Sequence, residues 1–195
     1  NVLDTDIPGL PQPERSFHIS QVSPKDFNRT LSIFRNIIEV NIDPRQFTMT
    51  RMKFTRNVYA TDQIILHINS PSKEEFTEYV TEHGQDIIDF FTKMEINRLC
   101  RDLTRKYSKL TFDLAQEIFG CELRAPEELK NYKRGKDFFW TTNNSATGQV
   151  CIMMYSYPYE GPGTFNKRYI LHKRDSVLRI NMPGSDPDMY MQTDT

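Results

Sequence analysis

"SPSKEEFTEYVTEHGQDIIDFFTKMEINRLCRDLTRKYSKLTFDLAQEIFG", residues 70–120, carries an apolar repeat from one end to the other. Phe76, Val80, Ile87, Phe91 and Met94 lead into Leu99, Leu103, Tyr107, Leu110, Leu114 and Ile118 at steps of mostly three or four, the spacing of one helix face. Pro71 suits a helix start, Ser72 and Glu75 stand at capping-box spacing, and Gly120 suits a C-cap. Gly84 is the internal weak point, so the stretch predicts one long helix or two in series. Its other face carries Lys, Arg, Asp and Glu, which predicts an amphipathic segment packed on a sheet. A coiled-coil dimer is the lesser alternative, because strict alternation of three and four is not sustained.

Outward from this segment the period changes to two. Upstream, "FHISQVS" reads as a strand, Ser23 and Pro24 open a helix through about Asn36, and "IIEVNID" alternates as a strand. "QFTMTRMKFTRNVY" and "QIILHINS" follow as strands joined by a turn near Ala60 to Asp62, and Arg51 with Lys53 mark the solvated face of an edge strand. Downstream, "CELR", "KDFFWTTNN" and "GQVCIMMYSYPY" read as strands, "PEELKNYKRG" as a short helical or turn element, and "TFNKRYILHKRDSVLRINMPG" as a helix closed by Pro183 and Gly184. "MYMQTD" suits the start of one more strand.

This order predicts an α+β fold: a largely antiparallel sheet against one long helical segment and two shorter helices, with each half ordered like a split βαβ unit. The expectation is a single α+β domain over 1–195, with pseudo-halves of about 1–119 and 120–195. "DIPGLPQPERS" is an extended connection, and its Pro8–Pro11 spacing suits a rigid connector better than a ligand for a Pro-binding module.

At 195 residues with 37% hydrophobic, 12% aromatic and 26% charged side chains, the chain can bury a core. A formal net charge of -1 and a pI near 6.5 exclude attraction of the whole molecule to nucleic acid or to an anionic membrane. Cys100, Cys121 and Cys151 lack metal-ligand spacing and read as small buried hydrophobes, with a Cys121–Cys151 pair as the alternative in an oxidising compartment. No metal or other cofactor is expected. Apolar runs such as "IIL" and "CIMMY" are far too short to span a bilayer. The chain opens on Asn1 and stops at "MYMQTDT", the pattern expected of a trimmed or processed piece.

Catalytic patterns are weak. His18, His67, His83 and His172 are scattered, "HKRD" at 172–175 falls in a predicted helix as a surface charge cluster, and no G-x-S-x-G elbow or glycine-rich phosphate loop occurs. In strand 150–157 both faces begin apolar and one becomes tyrosine. Tyrosine buries its ring and keeps its hydroxyl wet, so a sheet end under a helix explains Tyr155 and Tyr157. The functional alternative is an aromatic surface of Trp140, Tyr155, Tyr157 and Tyr159, with Asn143, Asn144 and Arg168 as polar partners and "EGPG" as its rim. Asn143-Asn144-Ser145 and Asn28-Arg29-Thr30 are formal glycosylation sequons.

"NVLDTDIPGLPQPERSF", "VSPKDFNRTL", "IIDFFTKMEINR", "GKDFFWTTNNSATG", "YSYPY" and "LHKRDSVLRINMPG" carry a resemblance over essentially the whole chain. They resemble a family of bacterial lipoproteins, mostly from gut-dwelling species, known as a domain of unknown function. The resemblance implies a lipoprotein signal ahead of a strand and helix that "NVLDTD" would finish, further strands after the last residue, and a cell-envelope location through an N-terminal lipid. It carries no catalytic residue over. The resulting expectation is a non-catalytic envelope domain that binds a ligand or partner, an envelope protein or a glycan, through Trp140, Tyr155, Tyr157, Tyr159, Arg168 and Asn143. The alternatives are an enzyme acting on envelope glycans or peptides, and a structural interaction protein using the long helix.

Overall fold

Alternating "NIIEVNI" forms strand β1 (Asn36–Ile42), and the more continuously apolar "IILHINS" forms β3 (Ile64–Ser70), the centre of a three-stranded sheet of order β1-β3-β2 with β2 at Arg51–Arg56. Placement at the centre explains the composition of β3: Ile64, Leu66 and Ile68 are buried on the core face and Ile65 is buried on the other, where only His67 and Asn69 are half-buried. β1 runs parallel to β3, Asn36 opposite Ile64 through Ile42 opposite Ser70, and β2 runs antiparallel, Arg51 opposite Asn69 through Arg56 opposite Ile64. β2 is an edge strand, as its exposed Arg51 and Lys53 predict.

The computed structural model describes residues 2–7, 13–186 and 188–193; the Pro8–Pro11 spacing lies outside the described residues. Two compact units make up the chain, Asn1–Leu99 and Cys100–Thr195. The boundary expected at Gly120 is instead the C-cap of helix α4 (Lys109–Phe119), in the left-handed region at φ 67° that favours glycine. Leu114 and Ala115 of α4 pack on Phe139, so the helix belongs with the strands that follow it.

The helical repeat of 70–120 is broken twice, into α2 (Lys73–Glu82), α3 (Gly84–Arg105) and α4. Ser72 caps α2 by accepting from the Glu75 N–H, and Ser108 caps α4 by accepting from the Thr111 N–H. The second break is fixed from a distance: Ser108 N–H donates to the Ala125 carbonyl at 2.8 Å and its hydroxyl to the Leu129 carbonyl at 2.6 Å. In the first unit Ile64, Leu66 and Ile68 meet Ile87 and Phe91 of α3, with Ile38, Met52, Phe76, Val80, Phe90 and Met94 around them. Each of the five fully enclosed side chains, Ile64, Leu66, Ile68, Ile87 and Phe91, contributes about 1.5–3 kcal/mol by burial, and the partly buried ones less.

The stretch expected as strand "FHISQVS" forms none; Phe17 instead sets its ring edge-on to Phe91 at 6.2 Å. The helix expected over 24–36 shrinks to α1 (Arg29–Ser32), capped by Asn28 rather than Ser23, because Asn36 onward is drawn into β1. Downstream "CELR" is unpaired, while β4 (Asn131–Gly135), within the element expected as helix or turn, pairs with β5 (Phe138–Thr142), and β6 (Cys151–Tyr155) completes an antiparallel sheet of order β4-β5-β6. Phe139 and Met154 face α4; Phe138, Trp140, Met153 and Tyr155 share the opposite face by register. Helix α5 (Lys167–Asn181) brings Asn181 against Gly135, where any Cβ would collide with its side chain.

Among the described residues three of the four strand pairings are antiparallel, and the fold is α+β. The expectation of buried cysteines fails at Cys100 and Cys151, which are exposed, and all three thiols are free. Cys151 lies at the start of an edge strand, where its thiol meets the Thr142 hydroxyl at 3.4 Å. No helix among the described residues is long and apolar enough to cross a membrane.

Candidate functional site

In the second unit the tyrosines gather where β6 ends. Tyr155 and Tyr157 stack with centroids 6.1 Å apart, and Tyr157 meets Tyr169 of α5 at 6.0 Å. Lys173, one turn along α5, places its Nζ 5.5 Å from the Tyr157 ring centre and 5.7 Å from that of Tyr169. The Tyr169 hydroxyl donates to Glu160 Oε2 at 3.0 Å.

Past Pro158 the chain presents a second aromatic group. Tyr159 stacks on Phe165 at 5.5 Å with 30° between the planes, and the two residues are 63% and 73% exposed. Their support is local and well fastened. Gly161 takes φ 130°, closed to most side chains, and a short 3-10 turn over Pro162–Phe165 follows. Buried Thr164 accepts from the Glu160 N–H at 3.0 Å, pinning the turn from inside while both rings face outward.

The six side chains expected to form one surface are thus divided. Tyr155 and Tyr157 join Tyr169 and Lys173, while Tyr159 joins Phe165. Trp140 is half-buried on β5, opposite Met153 and Lys133, and among the described residues no ring contact links it to the tyrosines. Arg168 is exposed in the first turn of α5. Asn143 is committed to holding the β5–β6 connection: its Oδ1 accepts from the N–H groups of Ser145 and Val150, and its Nδ2 donates to the Gly148 carbonyl. Phe165 and Lys173 escape sequence reading because they reach the tyrosines only through the turn and α5; the i, i+4 spacing of Lys173 from Tyr169 is the signal it leaves, while Glu160 lies in the expected "EGPG" rim. "HKRD" lies within α5 with His172 exposed and the other three half-buried, and Asp175 is held below the usual carboxylate range chiefly by the hydroxyl of Thr193.

Burial pushes the Tyr155 phenol up, with the neighbouring Tyr157 adding to it, and the hydrogen bond to Glu160 pushes Tyr169 up. Both shifts favour the neutral phenol in the folded chain. Their stabilising share is therefore complete below the ordinary phenol value of about 10 and is lost as pH rises through the raised values. Alkaline titration of phenolate absorbance is expected to show Tyr155 and Tyr169, of nine tyrosines, ionising late. Glu160→Gln should bring Tyr169 alone back down.

The first unit holds a recess of about 640 Å³ on the sheet face away from the core, lined by Glu39, Asn41, Asp43, Phe47, Lys53, His67 and Asn69 among others. His67 is tied on both ring nitrogens, Nδ1 to Glu39 Oε2 at 3.2 Å and Nε2 to the Thr55 hydroxyl at 2.9 Å. Among the described residues no group of three His, Cys, Asp or Glu side chains is placed to hold a metal ion.

Two family models match the chain in succession. Residues 1–104 match one described as domain of unknown function DUF8532, and residues 108–195 match one described as domain of unknown function DUF4837. The residues between them, 105–107, mark the break between α3 and α4. No curated protein and no solved structure matches the chain.

Proposed function

Because the chain belongs to the family described as domain of unknown function DUF8532, which supplies no chemistry of its own, we propose its role from its geometry: a non-catalytic domain that binds a ligand or partner. The observation that carries this reading is the stacked, outward-facing pair Tyr159 and Phe165, fastened by Gly161 and Thr164 beside the Tyr155–Tyr157–Tyr169 cluster. Exposed rings held rigid from below lose little entropy on binding and offer flat apolar faces, which suits a saccharide ring or the side chains of a peptide. The resemblance to lipid-anchored envelope proteins supports a cell-envelope setting, with an envelope glycan or protein as the occupant.

A fixed panel of soluble glycans and peptides, titrated against the chain by calorimetry, tests this. With Tyr159 and Phe165 both changed to Ala, affinity for the binding member should fall about tenfold or more, two aromatic contacts at roughly 0.5–1.5 kcal/mol each. Stability should hardly change, since both rings are exposed. Unaltered binding in the double variant sinks the reading.

The alternative of an enzyme on envelope glycans or peptides is favoured by one observation, the chain from Glu39 through His67 to the Thr55 hydroxyl. A carboxylate that orients an imidazole against a hydroxyl is the arrangement that activates an oxygen nucleophile. In the same panel, cleavage that disappears in His67→Ala would decide for this reading instead.

A further inference from the structure

The register of the first sheet lays down two polar rows on the face opposite the core. One is Lys53, His67 and Glu39, and the next is Arg51, Asn69 and Asn41, each residue from a different strand. Ile38, Leu66, Ile68 and Met52, at alternating positions, turn to the other face and into the core. Polar side chains on a central strand need partners, and His67 has two, Glu39 and Thr55. Asn69 is satisfied only in part: its Oδ1 accepts from Asn41 Nδ2 at 3.1 Å. The Asn69 amide N–H2 and the Asn41 amide oxygen make no hydrogen bond to the protein among the described residues and stand open to solvent, where a ligand can replace water. Turning both amides over would still leave one donor and one acceptor side by side.

We propose that this recess binds a neutral, hydroxyl-rich ligand, a short oligosaccharide, at a site separate from the aromatic surface of the second unit. A neighbouring donor and acceptor on adjacent strands suit two adjacent hydroxyls, each of which gives and takes a hydrogen bond. Phe47 supplies an apolar wall for the C–H face of a ring. The charges that line the recess balance: Lys53 and Glu39 stand on either side of His67, and Asp43 is paired with Arg45 through two contacts of 3.1 Å, while Arg51 of the second row does not line the recess. Balanced charge gives no advantage to an anion or a cation and selects a neutral ligand. A volume of about 640 Å³ is that of a small-molecule site. His67, held from both sides, acts as a positioning residue that keeps the three strands in register beneath the ligand.

The probes are neutral trisaccharides of glucose in two linkages, of xylose and of N-acetylglucosamine, with trigalacturonate as the charged control. Each is titrated into the full chain with amide shifts followed by NMR. At least one neutral probe should bind saturably and shift residues 39–47 and 67–69. Asn41→Ala and Asn69→Ala should each weaken it about tenfold, the loss of one or two hydrogen bonds in a partly enclosed site. Asn41 is on an edge strand, so its variant keeps the test alive if Asn69→Ala fails to fold. The double change at Tyr159 and Phe165 should leave this binding intact, which separates it from the surface proposed above. Absence of saturable binding by every neutral probe overturns the proposal, as does unchanged affinity in a folded Asn41→Ala chain or preference for trigalacturonate.

Discussion

Phe139→Ala is expected to destabilise the second unit by about 3–5 kcal/mol, the usual cost of emptying an aromatic site in a packed core. Phe139 is fully buried and sits between α4 and the sheet, against Leu114, Ala115 and Met154, with the Phe119 ring 5.9 Å away. The side chains packed against it there are apolar, so its loss weakens the α4 contact. Against a total of roughly 5–15 kcal/mol for a domain, a loss of this size removes a large share of the unit's stability. Denaturant unfolding followed by near-ultraviolet dichroism measures it. Phe139→Leu should cost clearly less, because it refills most of the volume, and equal losses in the two variants would place the packing elsewhere.

Arg98→Leu should destabilise the first unit by about 2–4 kcal/mol, for a different reason. Arg98 is 6% exposed, and its guanidinium donates to the Asp62 carbonyl at 2.9 Å, to Asn36 Oδ1 at 2.9 Å, to Glu95 Oε1 at 2.8 Å and to the Arg35 carbonyl at 3.2 Å. These partners come from α3, from the entry to β1 and from the turn that precedes β3, so one side chain fastens three elements. Leucine fills part of the volume and makes none of the bonds. Asn36 Oδ1 loses its donor, whereas the Arg35 carbonyl keeps the Ile64 N–H at 2.8 Å, and Glu95, about one-third exposed and still receiving Asn36 Nδ2, can turn to water. The expected cost therefore stays below that of stranding a fully buried carboxylate. Thermal unfolding of Arg98→Leu beside Arg98→Lys gives the check: lysine keeps the charge and loses the fork, and should recover only a small part. Full recovery by lysine would show that charge alone matters.

Local signals announced β1, β3, β5, β6 and α5: alternation marked β1, whereas short continuous apolar runs marked the largely buried β3 and β5. Gly120 and Ser72 did so as caps, because a left-handed C-cap and an N-cap hydroxyl are decided within one turn. β4 was hidden: "NYKRG" is polar on both faces and exposed, so no alternation marks it, and only pairing with β5 makes it a strand. The break at Ser108 was hidden for another reason. Apolar spacing runs straight through it, and the carbonyls that hold it open belong to Ala125 and Leu129. The aromatic surface was legible residue by residue, but Phe165 and Lys173 become its neighbours only through the turn at Gly161 and through α5. The polar recess showed only as separate wet faces, Glu39 and Asn41 on one strand and Lys53 on another, since these and His67 are lined up only once β3 lies between β1 and β2.

That strand order carries an asymmetry in assembly. β2 and β3 are joined by a short turn and can zip locally, whereas β1 must close on β3 across a separation of 28 residues, as from Asn41 to Asn69, at a larger entropic cost. Glu39 and Asn41 arrive with β1. Half of the recess therefore rides on the strand that closes the longer loop, and anything seated there would act as a clasp on that strand, converting occupancy into resistance to its release.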